Sequence, residues 1–273
     1  MVENQSLKKI KKLKQPKNKN LHFHIPLSRL KEFIHIINEM KVNLELYFSA
    51  SDLDNLNVKD FEEIAFLFSY SPSLTIHGPF MDLSPGAMDP LVRDVTLQRF
   101  TQALEAASFF KAGTIVLHSG YDKWRYDHKI DVWLEQSLKT WPPIVELAEM
   151  KGIRIAVENI FEDHPENLAL LLERVDSPNF GLCFDTGHFN LFSRIDLRQW
   201  FDITGTERII ELHLHDNDTT RDHHWAPGLG LFPFDELFEI LGLPERKDIV
   251  LTIEAHDMGH VQKSLEFFDK KFH

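Results

Sequence analysis

Residues 74–119 read LTIHGPFMDLSPGAMDPLVRDVTLQRFTQALEAASFFKAGTIVLHS. Two short apolar runs, Leu74–Gly78 and Thr114–Ser119, flank one long helical pattern. Asp89 is placed to cap that helix and Pro90 suits its first position, while Gly113 is expected to close it. Val92, Val95, Phe100, Ala103, Leu104, Ala107 and Phe110 would form its apolar face. Strand, helix and strand in that order make one unit of a parallel α/β fold.

The same alternation continues in both directions. Further strand candidates are Leu21–Ile25, Val42–Phe48, Arg154–Ile160, Gly181–Asp185, Ile209–His215 and Ile249–Ala255, which brings the count to eight. A second helical pattern from Asp131 to Met150 meets Pro142 and Pro143, which must kink or restart it, and Gly152 ends it. In a chain of 273 residues, eight strand–helix units with short connections predict an α/β fold of the (β/α)8 TIM barrel type. It would be a single domain over 20–273, preceded by a basic N-terminal extension over 1–19.

Composition narrows the class. Hydrophobic residues make up 43% of the chain, enough for a large core, yet there is no 18-residue apolar run and no partnership with a membrane is expected. Cys183 is the sole cysteine, which excludes a disulfide framework and a thiolate metal cage; it reads as a small interior residue. With no apolar leader at the start, a cytoplasmic location is expected. The net charge is −12, but residues 1–19 carry seven lysines against Glu3, which leaves −18 on the remainder. Such an excess repels a phosphate polyanion, so nucleic acid is disfavoured as a partner. Leu7, Ile10 and Leu13 allow a short amphipathic helix in the extension.

Alternate residues of a barrel strand face the axis, so each strand has two phases. One phase is apolar and faces the helices: Leu74 and Ile76, Ile115 and Leu117, Ile155 and Val157, Leu182 and Phe184, Leu212 and Leu214, Leu251 and Ile253. The other phase ends, from the third strand to the eighth, in His77, His118, Glu158, Asp185, His213 and Glu254. All six fall at the carboxyl ends of strands, where barrels of this kind build active sites. Imidazoles and carboxylates aimed into an interior need partners, and a divalent cation supplies one. His188 follows Asp185 closely, and Asp222 and His224 lie in the loop after the seventh strand, so all three are added to the ligand candidates. Nitrogen and oxygen donors suit Zn, Mn, Fe or Co.

These residues resemble the xylose-isomerase-like barrel superfamily, which includes sugar isomerases, sugar epimerases and the endonuclease IV family. The resemblance runs from about residue 20 to 273 and is carried by His77-Gly78-Pro79-Phe80, Leu117-His118-Ser119-Gly120, Val157-Glu158-Asn159, Phe184-Asp185-Thr186-Gly187-His188, His213-Leu214-His215-Asp216, Asp222-His223-His224 with Pro227-Gly228-Leu229-Gly230, and Ile253-Glu254. For the sugar-converting members it implies one divalent ion, often manganese, held by Glu158, Asp185, His213 and Glu254. Glu158 and Glu254 would be the catalytic pair that moves protons, and His188 would bind a substrate hydroxyl. For the endonuclease IV family it implies three zinc ions, with His77, His118, His188, Asp222 and His224 joining those four.

Departures from the resemblance cut both ways. The segment Ser49 to Asp60 carries Asp52, Asp54 and Asp60 against Lys59 alone and would repel DNA, while His224 stands where ketohexose epimerases commonly have arginine. Phe80 and Met81 stand where the resemblance implies side chains that insert into a duplex, and they read either as such a pair or, preferentially, as the apolar wall of a small pocket. Further pocket candidates by phase or loop position are His22, His24, Glu45, Tyr47, Tyr121, Trp124 and Arg125; His24, Glu45, Phe80 and Trp124 join His188 as expected substrate contacts. The leading expectation is a metal-dependent isomerase or epimerase of a sugar or sugar phosphate, using one to three ions of manganese or zinc. Its alternative is a trinuclear zinc phosphoesterase acting on abasic DNA or another phosphodiester. A non-catalytic barrel would leave the converging carboxylates unexplained.

Overall fold

The computed structural model describes Pro16, Asn18 and residues 20–272. The amphipathic helix expected around Leu7, Ile10 and Leu13 lies outside the described residues. Eight parallel strands close into a barrel in chain order: β1 (Leu21–Pro26), β2 (Asn43–Tyr47), β3 (Leu74–His77), β4 (Thr114–His118), β5 (Arg154–Glu158), β6 (Phe180–Asp185), β7 (Ile209–Leu214) and β8 (Val250–Ile253). Every strand expected from sequence is present, in a single-domain (β/α)8 arrangement. Parallel neighbours need crossovers, and helices between the strands provide them. The apolar phase packs against those helices in one continuous core that includes Ile76, Leu117, Val157, Phe184, Leu212 and Ile253. Inside the barrel a smaller cluster of Val116, Ala156, Cys183 and Ile210 forms an apolar layer.

Two local expectations change. The helix Pro90–Phe109 does start on an Asp89 cap with Pro90 in its first turn, but Val92 and Val95 face solvent. The buried side of its first turns is set by the loop before it, because the Ser84 N–H donates to Thr96 Oγ1 at 3.0 Å; Phe100, Ala103, Leu104 and Ala107 then take over against the barrel. Gly113 does not form the stop, since Lys111 takes the left-handed conformation (φ 54°) and Gly113 has no positive φ. The proline pair does restart the next pattern, as helices Ile130–Ser137 and Trp141–Lys151, the second closed by Gly152 at φ 68°.

Register, more than any single strand, builds the site. His24 pairs with Glu45, Tyr47 with His77, His118 with Glu158 and Asp185 with His213, so polar residues from neighbouring strands stand side by side at one mouth of the barrel. The acidic segment after β2 has a local purpose. Asp52 and Asp60 are the capping-box partners of Ser49 and Asn57 at two successive helix starts, and Asp54 pairs with Arg99 at 2.5 Å.

Candidate metal centre

Glu158 is the hub. Its Oε2 lies 3.1 Å from Nε2 of His77 and 3.1 Å from Nε2 of His118, while its Oε1 lies 3.2 Å from His188 Nδ1 and 3.5 Å from His213 Nδ1. Each carboxylate oxygen therefore faces its own pair of imidazoles. Asp185 is fixed by local folding: its Oδ1 caps the following turn by accepting from His188 N–H at 2.6 Å. Asn159 grips its backbone in both directions, at 2.8 and 3.1 Å. Glu254 follows β8, its oxygens 3.6 Å from His24 and His215 and 3.8 Å from His213 and His224.

The imidazoles are oriented from behind. His77 Nδ1 meets the Gly78 carbonyl at 2.9 Å, His188 Nδ1 the Asn159 carbonyl at 3.0 Å, and His224 Nδ1 the Glu254 carbonyl at 3.2 Å. A carbonyl oxygen only accepts, so each of these Nδ1 atoms carries a hydrogen and Nε2 turns inward. His213 is held the opposite way round, with Nε2 donating to the Glu45 carboxylate at 3.2 Å and Nδ1 pointing inward. The inward nitrogens then face carboxylate oxygens: His77 towards Glu158, His224 towards Asp222 at 2.8 Å, His188 towards Asp222 at 3.6 Å. A lone pair against an anionic oxygen is repulsive unless a proton or a cation sits between them.

Protons fill that role in the metal-free chain. Burial pulls His188 and His213 down, but neighbouring charges outweigh it and hold both well above the ordinary histidine range; for His188 they are chiefly Asp185, Asp222 and Glu158. His224, also pulled down by burial, is pushed up to about 9 by Asp222 and Glu254. Burial raises Glu254, yet the surrounding imidazoles bring it to about 2. The site thus holds charge of both signs that ions could replace. His213 Nδ1 is buried with no hydrogen-bond partner, which is what an inward ligand atom looks like before its ion is in place. Several groups bring donor atoms within 4.8 Å of one another, among them His77, His118 and Glu158; Glu158, Asp185 and His188; and His215, Asp222 and His224. The donor chemistry, all imidazole nitrogen and carboxylate oxygen, fits zinc or manganese.

A family model described as "Xylose isomerase-like TIM barrel" matches residues 43–271. The chain belongs to that family. Among solved structures, a "D-tagatose 3-epimerase-like protein" superposes with a TM-score of 0.77 at 26% identity, over 92% of this chain and 96% of that one. A zinc-soaked TTHB071 protein from Thermus thermophilus gives 0.76 at 26% identity, over 92% and 97%. The "Probable endonuclease 4" of Mycoplasma genitalium is 24% identical over 204 residues, which cover 68% of this chain and 67% of that protein. Enzymes of both kinds expected from sequence are thus among the proteins this xylose isomerase-like barrel resembles.

The expected substrate contacts divide. His24 lines the inner wall, 2.8 Å from Glu45 and with its ring edge-on to His77, and Phe80 stacks on His118 with ring centres 4.4 Å apart. Glu45 does not fit the expectation: it is wholly buried behind His24 and His213, where no substrate reaches, and it orients imidazoles instead. Trp124 is 74% exposed, and its ring contacts are with His128 and Lys123 on its own loop. His22 hydrogen-bonds the Asn20 carbonyl and Ser73 near the start of β1, at the opposite end of the barrel.

Asp216 has no role legible in the sequence, yet it organises the loop that carries Asp222 and His224. Its buried carboxylate accepts from the backbone N–H groups of Asn217, Gly228, Gly230 and Phe232 at 2.8–3.1 Å. Gly230 is required there, because a Cβ would come within 2.2 Å of the Asn217 carbonyl oxygen. The Pro-Gly-x-Gly motif is therefore the mould for one carboxylate. Asp216→Ala leaves four backbone donors without their acceptor, those of Asn217 and Phe232 buried, and is expected to cost about 3 kcal/mol, read by urea denaturation of the chelated protein. An unchanged midpoint would show that water replaces the carboxylate without loss.

Proposed function

We propose that this chain hydrolyses a small phosphate ester with two or three divalent ions. The observation that carries the reading is Glu158, whose Oε2 faces the inward nitrogens of His77 and His118 while its Oε1 faces His213 Nδ1, the two-sided arrangement of a carboxylate that would bridge two ions. His77 and His118 would complete one ion, Asp185, His213 and Glu254 a second, and His188, Asp222 and His224 a third. Bound divalent ions supply Lewis acidity toward phosphoryl oxygens and lower the pKa of water. The residues of the chain hold and aim: Glu45 fixes His213, Asn159 fixes Asp185 and His188, and Phe80 walls the mouth beside His118. Three divalent ions against four ligand carboxylates leave surplus positive charge, which suits a phosphate without any arginine or lysine in the cluster. Lys123, on the β4 loop, is already paired with Asp163 at 2.6 Å. Duplex DNA is the less favoured ester, because the chain outside the extension is strongly acidic.

A second reading, a one-ion sugar epimerase with Glu158 and Glu254 moving protons, is favoured by the 26% identity to the D-tagatose 3-epimerase-like structure. One experiment separates the two. Protein loaded with zinc or manganese is analysed for bound metal, then assayed on phosphate mono- and diesters, abasic DNA and a sugar panel in deuterated water. More than one ion with ester cleavage supports the hydrolase; a single ion with solvent deuterium entering a sugar carbon overturns it.

A further inference from the structure

Resting on the multinuclear reading, we propose that His215 is a metal ligand through Nδ1, joining Asp222 and His224 at the ion site of the β7 loop. His215 is wholly buried just beyond β7, and its backbone is pinned by one side chain: Thr186 Oγ1 accepts from its N–H at 3.1 Å and donates to its carbonyl at 2.7 Å. Its ring fills the space above Gly187, where a Cβ would fall 2.0 Å from the imidazole, so the glycine of Asp185-Thr186-Gly187-His188 is there to admit it. His215 Nε2 lies 2.9 Å from Asp185 Oδ2. With a carboxylate as partner, that nitrogen carries the hydrogen and Nδ1 holds the lone pair.

That Nδ1 atom is buried and has no hydrogen-bond partner. It faces Asp222 Oδ1 at 3.5 Å, and the ring lies parallel to His224 with centres 4.1 Å apart. A lone pair directed at a carboxylate across that gap is repulsive, and an ion seated between the two would relieve it. His215, Asp222 and His224 bring ligand atoms within 4.8 Å of one another, and His188 Nε2 approaches Asp222 from the other side at 3.6 Å. Through its Nε2 hydrogen the same ring ties this ion to Asp185, a ligand of the neighbouring one. Loss of His215 therefore loosens one ion and disturbs the orientation of a ligand to the next.

Zinc-loaded wild-type crystals, measured at the zinc absorption edge, test the assignment without any variant. An anomalous peak about 2.0–2.1 Å from His215 Nδ1 is expected. In parallel, competition with a graded chelator is expected to show that His215→Gln weakens one ion by at least about 100-fold, the upper range for losing even an outer-shell partner, with the remaining ions retained. An ion seated on Asp222 and His224 but out of bonding range of His215, or a variant holding every ion with unchanged affinity, overturns the proposal. A wild-type chain that binds a single ion at Asp185 and Glu254 overturns the multinuclear reading itself, a different result from several ions of which none touches His215.

Discussion

Glu158→Gln is expected to strip two ions from the protein at once and to lower ester hydrolysis by about 10³-fold or more, the scale of losing a preorganised electrostatic stabiliser. The expectation follows from the division of labour between its oxygens. Oε2 faces the inward nitrogens of His77 and His118, Oε1 faces His213 Nδ1, and both sides are 3.1–3.5 Å away. An amide keeps the shape but offers one acceptor and one donor. Its NH2 end would point hydrogens at the ion site on one side, while its carbonyl end would be a weak, neutral ligand on the other. Asp222→Asn touches a single ligand group and is expected to lose one ion only. Metal analysis after dialysis distinguishes the two variants directly. Were Glu158→Gln to keep the wild-type complement, Glu158 would not bridge, and the one-ion epimerase would become the better account.

Much of this was legible in sequence because strand parity is a rigid rule. The axis-facing phase picked out His77, His118, Glu158, Asp185, His213 and Glu254, and the register then set them side by side. The same parity also selects His215, two residues after His213, so the signal for a further ligand was present in a motif that gave it no role. Glu45 shows where parity stops being informative. It places a side chain inside the barrel but not at a depth, and at the level of Glu45 the interior is filled by His24 and His213 rather than open to substrate. Trp124 marks a different limit: a long loop has no period, so pattern alone does not position its exposed ring. Asp216 was invisible because its partners are backbone N–H groups up to sixteen residues away, and main-chain donors leave no residue-type signature. The acids after β2 read as a charge field, yet two of them serve as helix caps.

Chelation is expected to destabilise the protein, and by more at alkaline than at mildly acidic pH. In the metal-free chain His224 titrates at about 9 against an ordinary value of 6.5, and His188 and His213 are also raised. A raised imidazole contributes stability in full below 6.5 and loses it as pH climbs through its folded value, near 9 for His224. Glu254 behaves in the opposite sense: depressed from 4.5 to about 2, it contributes above 4.5 and loses its contribution as pH falls toward 2. The metal-free protein is therefore most stable between those limits and weakens on the alkaline side as the imidazoles lose the protons that separate them from carboxylate oxygens. Bound ions reverse the trend, since they take the place of those protons and bind more tightly as competition from protons falls. At an ion concentration about 1,000 times the dissociation constant the stabilisation is about 4 kcal/mol, worth roughly 10 °C in Tm for a domain of this size. Calorimetry with and without chelator should show that gap widening from near pH 6 to about pH 8.5. A gap that is constant, or larger at the acidic end, would mean that the inward nitrogens are not the atoms the ions hold.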